Sequence, residues 1–178
     1  MKHLKILLLM GLMILSVQTW AQPSQGSWMI GGTAGFNSSK VGEFSATIIN
    51  FSPMAGYFFT DQVAAGAQLS VNAFGGDLEG TSFGIGPFVR FYFNNSGDAR
   101  FFGQGSIAFS SVDPGDNFDS FTNFGWEVGA GMDYFLNQSV ALEVFLGFGQ
   151  DKNEDAGEST TNIGLNIGVA AFIGGGGE

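Results

Sequence analysis

From Thr161 to Ile173 the chain alternates without interruption. Ile163, Leu165, Ile167, Val169, Ala171 and Ile173 fall on one parity, and Asn162, Gly164, Asn166, Gly168 and Ala170 on the other. Successive side chains of a β-strand point to opposite faces, so this segment is a strand that is apolar on one face and small or weakly polar on the other. A face in bulk water is normally covered by Lys, Glu and Thr. A Gly, Ala and Asn face suits a confined interior, which turns the apolar face toward lipid.

Seven more stretches of about the ten residues that a tilted transmembrane strand requires repeat this pattern. They lie near Ser27 to Asn37, Ser45 to Phe59, Val63 to Ala73, Thr81 to Phe93, Arg100 to Ser110, Asn123 to Phe135 and Val140 to Phe148. In the fourth, Phe83, Ile85, Val89, Phe91 and Phe93 oppose Gly84, Gly86, Arg90 and Tyr92. In the sixth, Phe124, Trp126, Val128, Ala130, Met132 and Tyr134 oppose Gly125, Glu127, Gly129, Gly131 and Asp133. The fifth is the least regular, because Gly103 and Gly105 share the outward face with Phe101, Ile107 and Phe109.

The links alternate as well. Thr60 to Gln62, Asn94 to Asp98 and Leu136 to Gln138 read as short turns, whereas the other links carry acidic clusters. Short periplasmic turns and longer outer loops are the habit of outer-membrane barrels. Aromatic runs flank the short turns (Tyr57 to Phe59, Phe91 to Phe93, Phe101-Phe102, Tyr134-Phe135) and read as an interfacial girdle. A secreted β-sandwich shares the period of two, but the charge-poor strands, the Gly-rich face and the scarcity of Lys speak against it. A sheet in lipid must close on itself, since no water satisfies an open edge, so the last strand is expected to pair with the first. Pro53 and Pro87 sit inside predicted strands on the outward face and predict local bulges.

The first residues place Lys2 and Lys5 before an apolar run from Ile6 to Val17 and a small-residue site at Thr19 and Ala21. The run is shorter than the roughly 20 residues of a membrane-crossing helix and reads as a secretory signal peptide over 1–21, cleaved after Ala21. The barrel is then expected over 22–173, with a Gly-rich tail over 174–178. Beyond Lys5 only four basic residues remain against sixteen acidic ones, which opposes nucleic acid or an anionic membrane surface as partner. Ten of the acids fall in four segments: Glu43; Asp77 and Glu79; Asp113, Asp116 and Asp119; and Asp151, Glu154, Asp155 and Glu158.

The segments SPMAGYFFTD (52–61) and GIGPFVRFYF (84–93), with GAGMDYF (129–135), make the chain resemble the small outer-membrane β-barrel family, OmpX-like and OmpA-barrel-like proteins often called porin-family proteins. The resemblance covers essentially all of the chain beyond the leader and implies an eight-stranded, antiparallel, up-and-down transmembrane β-barrel in the bacterial outer membrane. It also implies insertion by the barrel-assembly machinery, contact with outer-membrane lipid and lipopolysaccharide, and tolerance of prolines at matching positions. Family members usually end on an aromatic residue, whereas here Phe172-Ile173 precedes four glycines and Glu178.

The only His is His3 and there is no Cys. This removes Ser/His and Cys/His nucleophilic pairs and His-ligated metals from residues 22–178 and predicts a non-enzyme without cofactor or metal. Asp151, Asn153 and Asp155 imitate the start of an EF-hand loop, but Ala156 stands where that loop needs Gly and Asn162 where it needs Glu. Gly84-Ile85-Gly86 and Gly129-Ala130-Gly131 follow strand parity and open no helix, so they are thin spots in a lumen wall rather than phosphate loops.

Arg90, Glu127, Glu143, Arg100 and Asp133 all take the inward parity. Unpaired charges in a narrow interior are costly, so two tiers of ion pairs are expected: Arg90 with Glu143 or Glu127, and Arg100 with Asp133. Side chains just fill an eight-stranded barrel, which favours a plugged lumen over a narrow passive pore. The expected role is structural or surface-interacting, as a monomer, with acidic outer loops meeting a surface partner.

Overall fold

The computed structural model describes residues 23–41, 44–76, 80–94, 96–113, 120–153, 157 and 159–174. The leader expected over 1–21, the tail beyond Gly174, and Glu43, Asp77, Glu79, Asp116, Asp119, Glu154, Asp155 and Glu158 lie outside the described residues.

Eight strands follow one another: β1 (Trp28–Val41), β2 (Phe44–Phe58), β3 (Val63–Gly76), β4 (Gly80–Tyr92), β5 (Ala99–Asp113), β6 (Phe121–Phe135), β7 (Val140–Asn153) and β8 (Ser159–Ile173). Each pairs antiparallel with its sequence neighbours, and β8 pairs with β1 to close the barrel. Closure pairs the first and last strands from Trp28↔Ile173 to Ala34↔Ile167, which removes the free edge over that part of the seam, the condition under which a β-structure survives in hydrocarbon.

The strands are longer than the alternation alone suggests, at 13 to 15 residues, because the pairing continues beyond the apolar band at the outer end. Polar positions there keep the period of two without being apolar on either face. As a result the outer links (42–43, 77–79, 114–120 and 154–158) are not systematically longer than the links 59–62, 93–98 and 136–139 at the other end. The expectation of long outer loops is corrected accordingly: Asp113 and Asp151, predicted in loops, belong to β5 and β7.

The bulges expected at Pro53 and Pro87 do not form. The β2–β3 ladder passes from Phe51↔Val71 to Met54↔Gln68 and the β4–β5 ladder from Ile85↔Phe109 to Phe88↔Ser106, each resuming in the same register. Backbone N–H groups alternate sides along a strand. Phe59 donates to Val63 and Phe93 to Phe101, so the same parity turns the Pro53 nitrogen to β3 and the Pro87 nitrogen to β5. The missing donors fall where the ladders lapse, and no extra residue is needed.

Burial alternates strictly along β4, where Ser82, Gly84, Gly86, Phe88, Arg90 and Tyr92 are buried and their neighbours exposed. Outward side chains such as Phe83, Ile85, Val89, Leu146, Leu165 and Ile167 are half or more exposed and form the lipid face. The outward notch at Gly103 is covered by Phe93, whose Cζ would stand 3.3 Å from a Cβ placed there. The seam is the shortest ladder: β1 and β8 pair only from Trp28↔Ile173 to Ala34↔Ile167.

Candidate functional site

The aromatic runs beside the short links do two jobs. Trp28, Phe59, Phe91, Phe93 and Phe101 stand exposed on the outer wall and Tyr57 half-buried among them, with Trp28 and Tyr57 in edge contact at 5.3 Å and Phe91 and Phe93 at 5.6 Å. Their sequence neighbours Phe58, Tyr92 and Phe102 turn inward and are fully buried, and Phe172 joins them. Reading whole runs as girdle is therefore corrected, since a strand sends adjacent side chains to opposite faces. A second outward aromatic group, Phe109 on Phe124 and Trp126 on Phe148, lies toward the outer ends of β5 to β7.

The inward rings close the lower lumen. Phe58 packs on Tyr92 at 5.7 Å and on Phe172 at 6.1 Å, Tyr92 on Phe102 at 5.6 Å, and Phe102 lies parallel to Phe145 at 6.0 Å. On this floor sits Arg90, which is 0% exposed. Its Nη1 lies 2.6 Å from Glu143 Oε2 and 3.6 Å from Asp133 Oδ2. Its Nε donates to Gln104 Oε1 at 2.8 Å, and its Cζ stands 3.8 Å above the Phe102 ring. The Tyr92 hydroxyl donates to Asp133 Oδ2 at 2.5 Å. Charge, hydrogen bonds and ring face together hold the guanidinium in place.

The predicted site residues divide into two groups. Arg100, Asp133 and Glu143 face one another in a row across β5, β6 and β7. All three are buried, and Arg100 interacts electrostatically with Asp133 while its Cζ lies 5.2 Å from the Phe135 ring. Since Arg90 reaches both Asp133 and Glu143, the two expected tiers are one four-charge cluster. Glu127 stands apart from it, on the wall of a cavity above. Tyr92 and Gln104 complete the cluster and were not singled out from the sequence; their inward parity beside Arg90 and Arg100 was the available signal.

Above the cluster the lumen opens into a cavity of about 510 Å³, floored by Met54, Gln104, Glu143 and Phe145 and reaching Asn72, Val112 and Asn162 near the outer strand ends. Serines, asparagines and glutamines dominate its wall, and none of its lining residues is Lys or Arg. Asp151, expected in an acidic outer loop, instead extends from β7 into this wall, where its Oδ2 accepts from Asn162 Nδ2 at 2.6 Å. Among the described residues no group of three or more His, Cys, Asp or Glu is placed to hold a metal ion.

A closed eight-stranded barrel with an apolar outer wall, aromatic rings near its rim and a polar, charge-bearing interior defines a small outer-membrane β-barrel protein. The model of the outer membrane protein β-barrel domain family matches residues 7–144, and the chain belongs to that family, in the bacterial outer membrane. Solved structures share the fold. The N-terminal β-barrel domain of Pseudomonas aeruginosa OprF superposes with a TM-score of 0.58 at 16% identity, covering 84% of this chain and 98% of that one. Neisserial surface protein A (NspA) gives 0.58 at 17% identity over 83% and 99%. OprG of P. aeruginosa gives 0.51 at 13% identity over 84% and 97%. No curated protein matches the sequence.

Proposed function

We propose that this outer-membrane barrel is a plugged, non-enzymatic protein whose role is structural or surface-interacting, rather than a narrow passive pore. The observation that carries this reading is the Arg90–Glu143–Asp133–Tyr92 cluster seated on Phe58, Phe102 and Phe172, which occupies the lower lumen with fully buried side chains. An ion crossing this layer would have to part a 2.6 Å charged contact and displace packed rings. The lack of His and Cys beyond His3 supports the non-enzymatic part. The acidic outer segments suit cations bound to lipopolysaccharide, or a basic patch on a surface partner.

Planar-bilayer recording of the refolded protein tests the reading. The wild type is expected to stay silent, and Phe102→Ala with Arg90→Ala to admit small ions. Steady channels from the wild type would replace the plug with a pore. Absence of conductance from the double variant, together with unchanged stability, would deny these residues the role of plug.

A further inference from the structure

The geometry points to a binding site for a small linear polyamine, a cation carrying primary ammonium groups, in the outer half of the lumen. The cavity of about 510 Å³ falls within the range of roughly 300–1,000 Å³ usual for small-molecule sites. Its floor is the charge cluster, in which Glu143 is already neutralised by Arg90. Its wall brings two further carboxylates, Glu127 and Asp151, and no basic side chain.

These two carboxylates are neighbours. In the β6–β7 ladder Glu127 faces Gly149 and Gly125 faces Asp151, which sets them diagonally on the same inner face, and they interact electrostatically. Glycines of the facing strand make room for them: a Cβ on Gly147, diagonal to Glu127, would stand 2.6 Å from its Oε2, and one on Gly125, opposite Asp151, would run into the Asp151 carboxylate. Asp151 has Asn162 as its donor. Glu127 has neither counter-ion nor hydrogen-bond donor among the described residues. Two carboxylates side by side, Glu127 half-buried and Asp151 exposed, attract a cation more strongly than either would alone.

Other polar groups of the cavity point to a ligand as well. Thr33, only 8% exposed, lines the cavity and makes no side-chain hydrogen bond among the described residues, so its hydroxyl is open to accept one. The buried Oδ1 atoms of Asn50 and Asn123 have no donor either among the described residues. Acceptors therefore predominate. A primary ammonium offers three donors of loose geometry, which suits two carboxylates and scattered amide oxygens. A divalent cation needs a compact shell of six or more oxygens, which this wall does not present.

Isothermal titration of spermidine into the full chain, refolded in uncharged detergent at low ionic strength, tests the site. One-site binding is expected, weakened at least tenfold by Glu127→Gln and by Asp151→Asn and unchanged by Asp98→Asn at the opposite end of the barrel. Gly147→Ala, which crowds Glu127 while keeping its charge, should also weaken binding; the mobility difference between boiled and unboiled samples verifies that each variant is folded. Absence of binding, equal binding by the wild type and Glu127→Gln, or stoichiometric displacement of spermidine by Mg²⁺ or by sucrose would each overturn the assignment. The site goes beyond the plug and fails separately from it, because conductance reads the floor and titration reads the wall.

Discussion

Arg90 of β4 and Glu143 of β7 meet across the lumen, Nη1 to Oε2 at 2.6 Å, from strands that are not neighbours in the sheet. The contact ties opposite walls together, with Arg90 fully buried and Glu143 nearly so at the cavity floor. Such a pair gains little over a well-packed apolar replacement, but removing one partner strands the other charge. Arg90→Met leaves Glu143 and Asp133 buried in a carboxylate pair, and the expected loss is about 3–5 kcal/mol. Glu143→Gln should cost less, since Arg90 keeps Asp133 at 3.6 Å and Gln104 at 2.8 Å. Urea unfolding of the refolded variants in lipid vesicles measures both, and equal losses would mean that Glu143 is the sole counter-ion of consequence.

Phe102 carries a comparable share of the plug. It lies parallel to Phe145, contacts Tyr92 and sits 3.8 Å beneath the Arg90 guanidinium. Phe102→Ala is expected to destabilise by about 3–5 kcal/mol, the range for an emptied aromatic site. Phe101→Ala, on the lipid face one residue away, removes a ring that is 53% exposed in the protein alone and should cost markedly less. Comparing the two variants by the same unfolding assay separates the floor from the girdle, and equal costs would contradict the assigned parity.

Period-two alternation made the barrel legible because, in lipid, both faces of every strand are constrained: Val89 and Phe91 must be apolar, and Arg90 can only point inward. The inward charges could be read the same way. Their partners could not, since parity gives the face but not the register. Register decides that Arg100, Asp133 and Glu143 share one level while Glu127 stands above it, facing Gly149. The outer strand ends were illegible for a related reason: beyond the hydrocarbon, neither face of residues such as Ser110 to Asp113 needs to be apolar, yet the ladder continues through them. The prolines misled because a bulge is only one remedy for a missing N–H, and a lapse of the ladder is another.

Glycine positions on the inner face differ in what they tolerate. A Cβ on Gly86 would collide with the Ile107 carbonyl oxygen and lie 2.7 Å from Ala108 Cα, both backbone atoms of the neighbouring strand. A Cβ on Gly164 would meet only Asn166 Nδ2, at 3.8 Å. Gly86→Ala must spread β4 from β5 and is expected to cost about 1–3 kcal/mol, as overpacking does. Gly164→Ala should stay within about 0.5 kcal/mol of the wild type. Thermal gel-shift midpoints of the two variants check the contrast, and a neutral Gly86→Ala would show that the β4–β5 contact yields freely.

The short seam between β1 and β8 makes a residue-by-residue prediction. Phe172 donates its N–H to Ser139, on the β7 side, so even-numbered amides of β8 point to β7 and odd-numbered ones to β1. The β7–β8 ladder continues to Lys152↔Ser159, whereas the β1–β8 ladder stops at Ala34↔Ile167. The amides of Gly164 and Asn166 are therefore bonded within the sheet, while those of Ile163 and Leu165 face the side on which pairing has ended. Hydrogen exchange followed by NMR in nanodiscs should show Ile163 and Leu165 exchanging faster than Gly164 and Asn166 by about tenfold or more, with Ile167 and Val169 protected again. Uniform protection from Ile163 to Val169 would mean that the seam zips to the outer rim in the membrane, and the wall beside Asn162 and Asn166 would then be as closed as the rest of the barrel.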